Sequence, residues 1–261
     1  MCKLKSAIIL KDRIFMPDYD SHSKMLEELK ITDDYINASK VFVRAELSPE
    51  NGDVFSDIDG WKLEVDQDIT PEWFDEKDCT ERMRKAVKEW AKTHIFVGQN
   101  GLAISHGENI FIKDCKNVDI YDNATVKYIC GSATVKNIYG SATVKYIRDN
   151  ATVKNICDGA TVENICGSAT VEYIYDNATV KNICGSATVE YIYDSATVKN
   201  ICDGATVKYI YDNATVISSP YTKWNNSASL IISGNATFKD CYSKTIYQAG
   251  GWKLVEVKKG K

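Results

Sequence analysis

The fold is decided between Ala124 and Asn213. There the chain reads ATVKYICGS, ATVKNIYGS, ATVKYIRDN, ATVKNICDG, ATVENICGS, ATVEYIYDN, ATVKNICGS, ATVEYIYDS, ATVKNICDG and ATVKYIYDN. These are 10 units of nine residues with no insertion, followed by a partial Ala214-Thr215-Val216. A fixed short period means a solenoid in which each unit stacks on its neighbours. Nine residues are too few for a helical hairpin, and β-branched Thr, Val and Ile dominate, so the unit is a strand and a turn. The closing Gly-Ser, Asp-Asn or Asp-Gly pair supplies the turn.

A second period lies on the first. The fifth position runs Tyr128, Asn137, Tyr146, Asn155, Asn164, Tyr173, Asn182, Tyr191, Asn200, Tyr209, alternating except at Asn155/Asn164. One coil is therefore two units, 18 residues, with two distinguishable sides. The expected fold is mainly β: a parallel β-solenoid, right-handed as parallel crossovers usually are, behind a small α+β N-terminal domain. Alternation along Ala-Thr-Val-Lys puts Ala and Val on one side and Thr and Lys on the other. A bend must then fall between Val and Ile if both point inward. Tyr173, Tyr191 and Tyr209 should form a ladder beside Tyr175, Tyr193 and Tyr211, making an aromatic stripe for a partner. The slip at Asn155/Asn164 should leave Tyr128 and Tyr146 on the opposite side. That side should carry Asn164, Asn182 and Asn200 beside Cys166, Cys184 and Cys202. Lysines and glutamates of the fourth position also fall into columns, as in Glu163 followed by Lys181.

The chain divides into a head at 1–97, irregular first coils at 98–123, the repeats at 124–216, and irregular coils with a cap at 217–261. In the head, Lys5 to Met16 alternates and is expected as a strand. Ser21 or Ser23 caps a short helix through Lys24–Leu29. Val41–Leu47 and Trp61–Val65 read as strands, and Thr80–Thr93 as an amphipathic helix. Beyond the repeats, the period breaks at Ser218-Ser219-Pro220 and returns imperfectly in Ala228–Ile231 and Ala236–Phe238. Trp252–Val257 is a candidate last strand.

The composition excludes several classes. Across 261 residues, 32 Lys+Arg against 36 Asp+Glu give a net charge of −4. That balance, with 44% hydrophobic residues, excludes a wholly disordered chain. No apolar run approaches the roughly 20 residues of a membrane helix, and the N-terminus lacks a signal-peptide pattern, so a cytoplasmic protein with no membrane contact is expected. Nine cysteines, an odd number, and no CxxC argue against a disulfide framework and the commonest zinc spacings. The repeats are nearly neutral: eight basic and nine acidic residues from Ala124 to Val216. Neither direct nucleic-acid binding nor duplex mimicry fits such a surface.

The ATVxxIxxS/N repeat lies behind a head containing Phe15-Met16-Pro17-Asp18-Tyr19-Asp20-Ser21-His22-Ser23 and Val65-Asp66-Gln67-Asp68-Ile69-Thr70-Pro71-Glu72-Trp73-Phe74. This combination resembles an uncharacterised family of phage and prophage proteins of gut Firmicutes, over essentially the whole chain. The resemblance implies an origin and transfers no catalytic residue.

Sites of known chemistry are mostly missing. The turn aspartates Asp158, Asp176, Asp194, Asp203 and Asp212 lack the GGxGxD frame of calcium rolls and suit capping of turn amides. One Thr per strand is a poor ice-binding array. The cysteine column suits packing better than a soft metal. Asp18, Asp20 and His22 could suggest a metal or acid–base site, but helix capping explains the Asp and Ser residues equally well. Asp66, Asp68, Glu72 and Trp73 form an acidic–aromatic patch suited to a partner, or a solvated turn around a buried Trp. No cofactor, metal or catalytic residue is expected. The functional expectation is a non-enzymatic interaction module binding a host protein, including a defence component, or a second copy of itself. The alternatives are an enzyme with its site in the head or near His94 and His106, a nucleic-acid mimic, or an ice-binding solenoid.

Overall fold

A computed structural model describes residues 4–221 and 230–249, and the backbone of 251–257. The chain is mainly β and forms two compact units, residues 1–95 and 96–261. No helix among the described residues is long and apolar enough to cross a membrane.

The second unit is a parallel β-solenoid. Thr134–Ile138 pairs in parallel with Thr152–Ile156, matching Thr134 to Thr152 and Val135 to Val153. Thr143–Ile147 pairs with Thr161–Ile165 in the same way. Partners 18 residues apart establish the two-unit coil. Alternate units build two sheets, one of nine strands and one of ten. Pairing includes Thr, Val, the fifth residue and Ile but skips the fourth, as between Lys136 and Lys154. That interruption is the bend that lets both Val and Ile point inward. From Ala124 to Ile210 every repeat Ala, Val and Ile is buried, one continuous apolar column. Most repeat threonines are half-exposed instead of fully exposed, and Thr206 is buried.

The eighth residue of each unit is Gly or Asp because its backbone is left-handed. Gly167 has φ +67° and Asp176 φ +54°. Asp tolerates that conformation better than most residues with a side chain. In Asp158-Gly159 and Asp203-Gly204 it is the aspartate, not the glycine, that takes the positive φ. The carboxylates of Asp149, Asp158, Asp176, Asp194 and Asp212 accept from a turn amide one coil back: Asp158 N donates to Asp176 Oδ2 at 3.3 Å, and Asp176 N to Asp194 Oδ2 at 3.4 Å.

The early coils are short strands at Ala103–Ile104, Ile110–Lys113 and Val118–Ile120. At the far end, Leu230–Gly234 and Thr237–Asp240 continue the parallel stacks, and antiparallel strands close both. Antiparallel Gly251–Val257 is the last strand expected from Trp252–Val257. Ala228 and Ser229 lie outside the described residues.

The first unit is an α+β head. Its sheet has the order β2-β1-β3-β4, with β1 Lys5–Leu10, β2 Ile14–Phe15, β3 Phe42–Ser48 and β4 Lys62–Val65, all antiparallel. The single strand expected from Lys5 to Met16 is instead this β1–β2 hairpin, turned at exposed Lys11-Asp12-Arg13, where Leu10 N donates to Arg13 O at 2.8 Å. All six residues of β1 are buried. Helix α1, His22–Glu28, is capped by Ser21 and packs Met25 and Leu26 on Ile8 and Phe42. A short helix α2, Tyr35–Ala38, was not expected; Asp34 caps it. Helix α3, Glu76–His94, starts earlier than expected because Asp75 provides the cap, and it buries Met83, Val87 and Trp90. Buried Lys5 lies 5.4 Å from the Trp90 ring centroid and 3.4 Å from Asp20.

Candidate functional site

On the nine-stranded sheet the fifth position stacks Tyr173 on Tyr191 on Tyr209. Ring centroids are 5.2 and 4.9 Å apart, with planes within 18°. At the seventh position Tyr175 and Tyr193 stack in parallel at 5.0 Å. Tyr173 meets Tyr193 edge-on at 6.3 Å, and Tyr209 contacts Tyr211 at 5.7 Å, so the two ladders fuse into one band of six rings. Every ring is half-buried. The faces are spent on stacking, which leaves edges and hydroxyls for contact, so the band is less bare than the sequence suggests. Tyr128 and Tyr146 are register partners on the other sheet, their rings tilted by 32° at 5.5 Å. Asn137 and Asn155 continue the fifth column toward the N-terminal end, with Asn155 Nδ2 donating to Asn137 Oδ1 at 2.8 Å.

Columns of charge flank the rings. Asp176, Asp194 and Asp212 follow the seventh-position tyrosines, while Glu172, Glu190 and Lys208 precede the fifth-position ones. Lys208 pairs with Glu190 at 3.2 Å. Five carboxylates thus border the band against one lysine. Four of the phenols hold their protons tightly: a hydrogen bond to Cys157, then burial, pushes Tyr175 up. Burial raises Tyr193 and Tyr211, and a hydrogen bond with Glu172 raises Tyr173.

The opposite face is quieter. Asn182 donates to Asn164 at 3.0 Å, and Asn200 to Asn182 at 3.2 Å. Beside them, burial pushes up Cys166 and Cys184, and raises Cys202 to about 11, so these thiols stay protonated near neutral pH. Lys181 and Glu163 pair at 2.9 Å.

In the head, a cavity of about 540 Å³ is lined by Asp33, Asp34, Arg44, Asp66, Gln67 and Asp68 among others. Of the acidic–aromatic patch, Asp66 and Asp68 line it. Glu72 and Trp73 do not: Glu72 is exposed, and the Trp73 indole donates to the Lys40 carbonyl at 2.8 Å. Gln67 organises the wall, accepting from Arg44 N at 2.8 Å and donating to the Ile69 carbonyl at 2.6 Å. Arg44 pairs with Asp33. Asp33, Arg44 and Gln67 carried no signal in the sequence, because chain folding alone brings them together. Asp34, which caps the unexpected α2, was likewise not singled out.

The Asp18, Asp20 and His22 grouping is dispersed. Asp20 meets Lys5, Asp18 lies 3.3 Å from His94 Nε2, and His22 lies 3.3 Å from Asp66. His94 also stacks on Trp90 at 4.5 Å, and its Nδ1 lies 2.8 Å from the Trp90 carbonyl. It is held on both ring nitrogens.

In comparisons with protein-family models, curated proteins and solved structures, nothing matches this chain. By its own geometry it belongs to the two-sided parallel β-solenoids with a small α+β head.

Proposed function

We propose that the chain is a non-enzymatic protein-interaction module, and that its docking surface is the tyrosine band on the nine-stranded sheet. The single observation that carries this is the band itself: six fused tyrosines bordered by five carboxylates and one lysine. Tyrosine supplies large rigid contact area with a polar tip. The acidic border favours a basic partner segment, drawing it in through complementary charge. Two copies meeting band to band would bring like charges together, so a basic partner fits better than self-association. The phage resemblance suggests a host protein, including a defence component, bound and inhibited in the host cytoplasm. The head cavity supplies a second, polar surface.

A synthetic extended peptide alternating Lys and Thr tests the chemistry. It should bind the full chain, weaken as salt rises, and lose affinity on the Asp176→Asn, Asp194→Asn, Asp212→Asn triple variant. Equal binding of a Glu/Thr counterpart would overturn the proposal.

A further inference from the structure

His22 opens α1 against β3, and its ring is buried. Its Nε2 lies 3.2 Å from the carbonyl oxygen of Ala45 on that strand. A carbonyl only accepts, so Nε2 carries the ring proton. That leaves Nδ1 with its lone pair in the neutral ring, and Nδ1 faces Asp66 Oδ2 at 3.3 Å. Two acceptors at this distance need a cation between them: either a second ring proton or a metal ion. A third potential ligand stands beside them. Glu46, the next residue along β3, is also buried, and ligand atoms of His22, Glu46 and Asp66 all lie within 4.8 Å of one another.

The fold builds this convergence. Asp66 is placed just beyond β4 by its amide, which donates to the Arg44 carbonyl at 2.9 Å, and β4 runs antiparallel to β3 with Glu46 opposite Glu64. The three side chains therefore come from a helix start, a strand centre and a strand end.

We infer that His22, Glu46 and Asp66 hold one divalent transition-metal ion of the zinc class. Ligands about 2.0–2.1 Å from a tetrahedral ion stand roughly 3.4 Å apart, close to the Nδ1–Oδ2 separation of 3.3 Å. Metal-bound histidines usually donate their other ring N–H to a carbonyl or carboxylate, which fixes the tautomer; the Ala45 carbonyl does this here. Imidazole nitrogen with carboxylate oxygen favours zinc-like ions over magnesium or calcium, which take oxygen alone. Three protein ligands leave a tetrahedral ion one position for water or an anionic ligand, and Asp66, alone of the three, also lines the head cavity.

Isothermal titration of the chelator-treated full chain with Zn²⁺ tests this. One ion per chain should bind, undisturbed by excess Mg²⁺. Asp66 is exposed, so Asp66→Asn should keep the fold by circular dichroism and weaken binding at least tenfold. His22→Gln should do the same, and where it fails to fold Asp66→Asn alone decides. Co²⁺ in place of Zn²⁺ should give a visible absorption band that Asp66→Asn abolishes. Absence of stoichiometric Zn²⁺ binding would overturn the assignment. So would binding that Asp66→Asn leaves unchanged, as expected if the Cys166, Cys184 and Cys202 thiols held the ion.

Discussion

Ile174 in the solenoid pairs with Ile156 on one side and Ile192 on the other, each 18 residues away and each the same residue. Ile8 in the head pairs with Phe15 on one side and Arg44 on the other, at separations with no common period. In the solenoid one rule, repeated, places the inward side chains, and there like stacks on like. In the head each contact is particular, so unlike groups can converge, as His22, Glu46 and Asp66 do. Regularity gives extended surfaces; irregularity gives local sites.

The largest expected effect tests whether the two regions are energetically separate. Ile174→Ala should cost about 2–5 kcal/mol through the cavity it leaves. In calorimetry it should lower one transition, assigned to the solenoid, while Met25→Ala lowers the other. If both variants shift a single shared transition, the division into two compact units does not extend to stability.

Next come the turns, where the solenoid rule is strictest. Gly167→Ala would place a Cβ 2.9 Å from the Asp149 amide nitrogen at φ +67°. The conformation alone costs about 1–2 kcal/mol, and the contact adds to it. Asp176→Gly loses one capping bond but relieves a left-handed residue, so its net effect should stay within about 1 kcal/mol. Denaturant midpoints that ranked the two in the opposite order would contradict the left-handed account of the eighth position.

A smaller effect distinguishes the two faces by pH. Tyr175, Tyr193 and Tyr211 hold their protons above the ordinary phenol range in the fold. As pH climbs past about 10, the unfolded chain loses these protons first. Their contribution is complete below that pH and disappears as pH rises through the folded values. Tyrosinate absorbance should show late titration that the Tyr193→Phe variant reduces. Smallest of all, Lys181→Ala removes the half-exposed pair with Glu163 and should cost under about 1 kcal/mol, less in high salt.

The same contrast explains what could be read from sequence. The 18-residue coil, the inward Val and Ile, and the transfer of tyrosines between faces at Asn155/Asn164 all follow from local periodicity. The restriction of position eight to Gly or Asp was visible too, but its cause, a left-handed backbone, needed φ. In the head, the hairpin at Lys11–Arg13 is hidden because its alternation continues across the turn. Asp18, Asp20 and His22 are neighbours in sequence yet go to three different partners, each set by a distant element. Glu46 and Arg44 looked like ordinary strand residues until β3 was placed against α1 and β4.

The docking assignment is tested most directly by treating the two solenoid faces alike. The Tyr175→Ser, Tyr193→Ser, Tyr211→Ser variant and the Asn164→Ser, Asn182→Ser, Asn200→Ser variant can be compared with the parent chain in quantitative capture from a host lysate. Both should fold, since every inward Ala, Val and Ile is retained. The account predicts that specifically captured proteins disappear with the tyrosine variant and persist with the asparagine variant. Identical capture by all three chains, or loss with the asparagine variant alone, would contradict it.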